Sequence, residues 1–263
     1  MELENTVSFS HHTPNNSDDR FFVSHCHLYY ELLYIVGGEI EVNLEGVQFH
    51  MEKDTALLIP PLKYHTVLRS NITSDRLVIE FPDSAVATEI KEKFEKNAEN
   101  IFLIRNKESI DILQKLGKYL YTQDSNMTYR TLLHALFVEL IYSLTENEPC
   151  INQKPPQPHP VIEKILGYIE ENLDRNITIN DIAKKFFLSP SSVSHLFKQQ
   201  MKISVKQYAL NKKMIYASKL IQEGIPLNIV AERCGYFNYS SFYKIFLKFN
   251  ETMPSELNKR GPL

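Results

Sequence analysis

The sequence predicts two domains of different class: an N-terminal all-β barrel followed by helices, and an all-α C-terminal region built from a repeated helical unit. Three observations carry this expectation. Apolar residues recur at every second position up to about Phe81 and at helical spacing afterwards. The stretch Cys150–Pro160, CINQKPPQPHP, has four prolines in eleven residues and reads as a semi-rigid linker. The charge is also divided: residues 159–263 hold 15 Lys+Arg and 9 Asp+Glu, net +6, whereas residues 1–158 are net −9. The boundaries that follow are 1–82 for the barrel, 83–149 for a helical packing or dimerisation segment, 150–160 for the linker and 161–263 for the helical repeat.

Composition narrows the class further. A chain of 263 residues, 43% hydrophobic and 23% charged, can bury two ordinary cores. No apolar stretch approaches the ~18 residues of a membrane span, and the polar, acidic start MELENTVSFSHHTPNNSDD does not read as a signal peptide. Cys26, Cys150 and Cys234 lie far apart without CxxC spacing, which implies free thiols in a reducing, cytoplasmic compartment and no membrane partner. Neither a Ser/His/Asp arrangement nor a Gly-rich phosphate loop is evident, so no catalytic residue is assigned and no enzymatic activity is expected.

In the barrel, Ile40, Val42 and Leu44 alternate with polar residues, Glu45-Gly46 turns the chain, and Val47, Phe49 and Met51 resume the pattern. That is a hairpin with one buried face. ELLYIV (31–36) and ALLI (56–59) are short apolar runs of interior strands, and 76–81 alternates through Leu77, Ile79 and Phe81. From Ser84 to Asn147 the period is helical. Ile110, Leu113, Leu116 and Leu120 form one stripe, and Leu132, Leu133, Leu136, Phe137, Leu140, Ile141 and Leu144 form another. The second stripe either packs on the barrel or, through Leu133, Phe137, Leu140 and Leu144, forms a homodimer face.

The C-terminal region repeats one plan. Pro160 precedes a helix with Ile162, Ile165, Leu166 and Ile169 on one face. Thr178 or Asn180 caps a short helix, and Ser189-Pro190 is an N-cap with proline at the first helical position. The helix PSSVSHLFKQQM that follows buries Val193, Leu196 and Phe197 and turns Ser191, Ser192, His195, Lys198 and Gln199 outward. About 49 residues later a short helix at 228–233, a turn at Gly235 and the cap Asn238 lead into YSSFYKIFLKF. Here Phe242 and Phe246 take the buried places, and Asn238, Tyr239, Ser240, Tyr243, Lys244 and Lys248 project. These are two helix-turn-helix units, whose second helix enters the major groove of duplex DNA. The helix between them, Ser204–Glu223, ends at Gly224 and spans roughly 30 Å at ~1.5 Å per residue. That is close to the ~34 Å between successive major-groove faces, so one chain can address adjacent turns.

At these residues the chain resembles the AraC/XylS transcription regulators. VAERCGYFNYSSFYKIFLKFNETMPSEL is similar to the family signature, with Ala231, Gly235, Tyr236, Asn238, Ser241, Phe242, Phe246, Lys248 and Pro254 at matching positions. ITINDIAKKFFLSPSSVSHLFKQQMKIS and KMIYASKLI match the first unit and the connecting helix. Phe187, Lys202 and Glu251 stand where glycine is usual, Met253 replaces a threonine, and Asn258 lies near a usual arginine. The resemblance implies promoter DNA and RNA polymerase as partners, a homodimer, and a cupin-like sensor barrel controlled by a small-molecule effector.

His25-x-His27-x3-Glu31 with Gly38, and Pro60-x4-His65, resemble cupin motifs, with Asp54 and Leu62 in place of two glycines. His25, His27 and Glu31 are separated by even numbers and share one strand face. With Tyr34, Lys63 and His65 they are expected to form an effector cup that needs no metal and no other cofactor. Leu62 is expected to cramp the turn that aims His65, and Cys26 to fill core. The alternative is that His25, His27, Glu31 and His65 hold a divalent metal, in a cupin sensor or a cupin enzyme fused to a DNA-binding domain.

Overall fold

In a computed structural model of the chain, the described residues are 7–13, 25–68, 74–96, 102–104, 106–122, 127–146 and 159–250. They fall into two compact units, one centred on the strands and the helices after them, the other on residues 156–263. Most of the proline-rich linker, together with Cys150, Glu251, Met253, Pro254 and Asn258, lies outside the described residues.

The first unit has eight strands: β1 (Ser8–His12), β2 (Tyr30–Gly37), β3 (Glu39–Leu44), β4 (Val47–Glu52), β5 (Ala56–Ile59), β6 (His65–Leu68), β7 (Asp75–Phe81) and β8 (Phe102–Ile104). They do not close into one barrel. A five-stranded sheet has the order β1-β7-β2-β5-β8, and a three-stranded sheet the order β4-β3-β6. All pairings in the larger sheet are antiparallel, with Glu31 opposite Ile59 on one side and Glu80 on the other. Gly38, at φ 76°, turns the chain out of β2 in the larger sheet into β3 in the smaller one. Alternation along a strand reports a buried face, and it reads alike for a barrel and for two packed sheets. The hairpin turn falls at Glu45-Gly46, as expected, with φ 50° and 84°.

Helices α1 (Thr88–Lys96), α2 (Lys107–Thr122) and α3 (Met127–Glu146) cover one face of the larger sheet. Tyr30, Leu32, Tyr34, Leu77, Ile79 and Phe81 of the sheet share a core with Leu113 and Leu116 of α2 and with Leu133, Phe137, Leu140 and Leu144 of α3. The Phe81 and Phe137 rings meet edge to face at 5.0 Å. The last four residues are therefore core in this chain and do not form a dimer face, because the sheet already removes them from water. Each such burial contributes roughly 1.5–3 kcal/mol. The helical reading of 84–147 also passed over β8, which pairs with β5.

The second unit is wholly helical among its described residues from 159 onward: α4 (Pro160–Glu170), α5 (Ile179–Lys185), α6 (Pro190–Met201), α7 (Val205–Gln222), α8 (Leu227–Arg233) and α9 (Tyr239–Asn250). The expected face of α4 is buried at Ile162, Ile165, Leu166 and Ile169. Thr178 caps α5 in a reciprocal box with Asp181. Ser189 caps α6 with Pro190 at its first position, and Ser204 caps α7. Met214, Ala217 and Ile221 of α7 form the second core with Val230, Ala231, Cys234, Phe242 and Phe246.

Candidate DNA-reading and ligand sites

The first recognition helix, α6, is held from beneath by Val193 and Phe197, both fully buried, while Leu196 is half-buried. Ser191, Ser192, His195, Lys198 and Gln199 are all exposed, as the sequence predicts. Ser194, passed over in the sequence reading, is exposed beside them and lines a shallow groove with Ser191, His195, Lys198 and Gln199. On α9, Phe242 and Phe246 are buried and Asn238, Tyr239, Ser240, Lys244 and Lys248 are exposed. Tyr243 is half-buried, with its ring 5.8 Å from that of Tyr239.

Several of these side chains already have structural work. Asn238 Oδ1 accepts from the backbone N–H of Ser240 at 2.8 Å and of Ser241 at 3.4 Å, so Asn238 is the N-cap of α9. Its amide N–H groups remain the part suited to a base edge. Ser189 Oγ lies 2.9 Å from Ser191 Oγ and 2.8 Å from Ser192 Oγ, which orders the start of α6.

Two of the basic residues behind the +6 balance are internal. Lys212 pairs with Glu170 at 2.7 Å, and Lys213 donates to the Arg175 carbonyl at 3.0 Å and to Asn176 Oδ1 at 3.2 Å. Burial holds the Lys213 ammonium below the usual lysine range. Arg175 and Lys206, by contrast, line a cleft of about 750 Å³ with Ser194, Tyr236 and Ile245, and sequence reasoning missed both. Their only sequence signal was membership of the basic C-terminal half. Cys234 is buried and its thiol is pushed up to about 12 by that burial, which makes it core filling.

In the first unit the chain brings four of the six expected cup residues together. One ligand atom from each of His25, His27, Glu31 and His65 lies within 4.8 Å of the others. His27, Glu31 and His65 are buried and His25 is half-buried. His65 Nε2 is 3.4 Å from Glu31 Oε2, while His65 Nδ1 lies 3.0 Å from the Lys63 carbonyl. Cys26 is buried, in keeping with core filling.

Tyr34 is not part of this group. It lies an odd number of residues from Glu31, so the pleat sends it to the helix-covered face, where its hydroxyl donates to Asp54 at 2.8 Å. Lys63 offers the cluster its backbone carbonyl, with its side chain half-buried. Asp54 and Leu62 adopt φ 61° and 67°, so both take the left-handed backbone of the glycines they replace. The Leu62 turn is made despite its side chain, and His65 still reaches the cluster.

Arg76 is the residue that sequence alternation hid. Leu77, Ile79 and Phe81 marked one face of β7 as buried, yet Arg76 on the other face is also fully buried. The pairings of Ile35 with Arg76 and of Glu31 with Glu80 put it on the Glu31 face of the sheet. Burial lowers its guanidinium pKa, and the charge of Glu31 opposes that fall.

Paired helix-turn-helix units read duplex DNA, and a second unit with a buried polar cluster places this chain among regulators that join a DNA reader to a ligand receptor. The AraC-like ligand binding domain family matches residues 7–141, and the helix-turn-helix domain family matches residues 182–260. The chain belongs to the AraC-like family of DNA-binding transcription regulators. It is 26% identical to the HTH-type transcriptional regulator YobQ of Bacillus subtilis over 90% of this chain and 89% of that protein. It is 28% identical to the lactose operon transcription activator of Staphylococcus xylosus over 56% of this chain and 53% of the relative. With the probable transcriptional regulator LumQ of Photobacterium leiognathi it shares 37% identity over 35% of this chain, and it spans only 37% of that protein's length. Among solved structures, ToxT of Vibrio cholerae aligns over 97% of this chain and 96% of its own at 14% identity and a TM-score of 0.42.

Proposed function

We propose that this regulator works as a cytoplasmic homodimer that recruits or contacts RNA polymerase at promoters, and that a small effector held at the His25/His27/Glu31/His65 cluster sets its activity. The single observation that carries the DNA reading is the pair of capped helices α6 and α9, each anchored by two fully buried side chains and turning polar and basic groups to water. Base edges meet Ser191, Ser192, His195, Gln199, Asn238, Tyr239, Ser240, Tyr243 and Lys244, whereas Lys198 and Lys248, later on their helices, meet phosphate. Among the described residues no helix is long and apolar enough to cross a membrane.

Self-association uses the outer side of α3. Val138 is 65% exposed and Tyr142 60%, with Leu132 beside them, on the helix side opposite the core residues Phe137 and Leu140. Val138→Glu with Tyr142→Glu yields a monomer in sedimentation while the fold survives; a wild-type protein that is already monomeric at micromolar concentration contradicts the dimer. The DNA reading is tested by salt. Affinity of the full chain for duplex falls on the order of tenfold or more between 50 and 200 mM salt, and Lys198→Ala or Lys248→Ala flattens that dependence. A salt-independent affinity contradicts it.

A further inference from the structure

We propose that His25, His27, Glu31 and His65 form a binding site for one divalent transition-metal ion, of the zinc, nickel or cobalt kind, in the ligand-binding unit. The proposal rests on reading this cluster as the regulator's effector site, and it names the chemistry of the ligand.

Geometry is the first ground. Four donors about 2.0–2.2 Å from a common ion stand between roughly 3.3 and 4.4 Å apart, depending on the coordination angle. The four ligand atoms already lie within 4.8 Å of one another, so they need only small side-chain rotations to close on an ion. The best-defined pair is closer still. His65 Nε2 and Glu31 Oε2 are 3.4 Å apart. Two ligands at that separation and each ~2.1 Å from one ion subtend about 108°, near the tetrahedral angle.

The tautomer is the second ground. The Lys63 carbonyl can only accept a hydrogen bond, so at 3.0 Å it holds the imidazole proton on Nδ1 of His65. Nε2 then presents a lone pair toward Glu31. A histidine that binds a metal through one nitrogen and gives its other N–H to a carbonyl is the usual support for such a ligand. An ion pair between His65 and Glu31 alone would need neither this tautomer nor the convergence of His25 and His27.

Charge decides the kind of metal. Glu31 is the one anionic ligand, and the buried guanidinium of Arg76 on the same sheet face opposes a second cation. The site therefore cannot hold an ion by net negative charge, as calcium and magnesium sites do with several carboxylates. It relies on imidazole bonding, which favours Zn²⁺, Ni²⁺ and Co²⁺. Three or four protein ligands also leave positions open for a small organic anion.

The test uses untagged full-length protein, stripped with a chelator and then titrated separately with Zn²⁺, Ni²⁺, Co²⁺ and Mg²⁺. Elemental analysis after gel filtration should find one transition metal per chain. At a hundredfold excess over Kd the unfolding midpoint should rise by about 5–10 °C, and Mg²⁺ should leave it unchanged. Co²⁺ should give visible d–d absorption. His27→Ala with His65→Ala should remove stoichiometric metal and the thermal shift, and His27→Gln with His65→Gln, closer in volume, should do the same with an unchanged circular dichroism spectrum. Metal absent from the wild type, or retained by the glutamine variant, overturns the proposal. A metabolite that stabilises the chelated protein as strongly as the metal-loaded one overturns the metal while leaving the effector reading standing. Stabilisation by neither metals nor metabolites overturns both.

Discussion

In the first helix-turn-helix unit the turn residue before the recognition helix is Phe187, and in the second it is Gly235. The backbone is the same in both. Leu188 N–H donates to Ala183 O at 2.9 Å in one, and Tyr236 N–H to Ala231 O at 2.9 Å in the other. Both turn residues are left-handed, with φ 56° and 74°. Their surroundings differ. The Phe187 side chain is 95% exposed, whereas a Cβ on Gly235 would sit 2.4 Å from the backbone oxygen of Asp174. A left-handed position in open space tolerates a side chain at about 1–2 kcal/mol, and one pressed against backbone admits only glycine.

The largest expected effect follows from that difference. Gly235→Ala combines left-handed strain with overpacking and should destabilise the chain by about 2–5 kcal/mol. Phe187→Gly relieves strain but adds unfolded-state entropy, so it should change stability by no more than about 1 kcal/mol, toward greater stability. Urea denaturation of both variants checks this, and equal losses would break the comparison.

The caps give a smaller separation. Ser189→Ala and Asn238→Ala should each cost about 0.5–2 kcal/mol. Asn238→Asp keeps an acceptor for the Ser240 N–H but loses the amide donors, so stability should stay near the parent's while preference at one or two base pairs relaxes. If Asn238→Asp keeps full base preference, the side chain acts as a cap alone.

The smallest effect is acid-dependent and concerns α5. Thr178, through its hydroxyl and then its backbone N–H, holds the Asp181 carboxyl below its ordinary value. A depressed carboxyl contributes stability above its unfolded pKa, and that contribution is lost as pH falls through the folded value. The stability gap between the parent and Asp181→Asn should accordingly shrink as the solution is acidified below the ordinary aspartate range. A gap constant down to the acid transition contradicts a charged cap. The second unit has no equivalent, because Pro226 precedes α8 with no side-chain cap.

What the sequence made legible divides along the same line between local and tertiary causes. Ser189-Pro190, Thr178, Asn238 and Gly224 mark helix ends through bonds within a few residues, and each was readable. The four-residue metal-type cluster was readable too, because its spacing reflects strand alternation. The role of Tyr34, the burial of Arg76 and the core position of Phe137 were not, since alternation and helical period say which residues share a face and not what covers it. The short strand β8, three residues within a helical stretch, carries too little pattern to be seen.

The central claim is that α6 and α9 read one DNA face from successive turns. Duplexes selected from a random pool by the full-length protein should contain two half-sites about 10 base pairs apart. Inserting five base pairs between them moves one half-site to the opposite side of the helix. Binding to the lengthened duplex should then fall to the level of a single half-site, and affinity unchanged by the insertion would contradict two recognition helices acting from one chain.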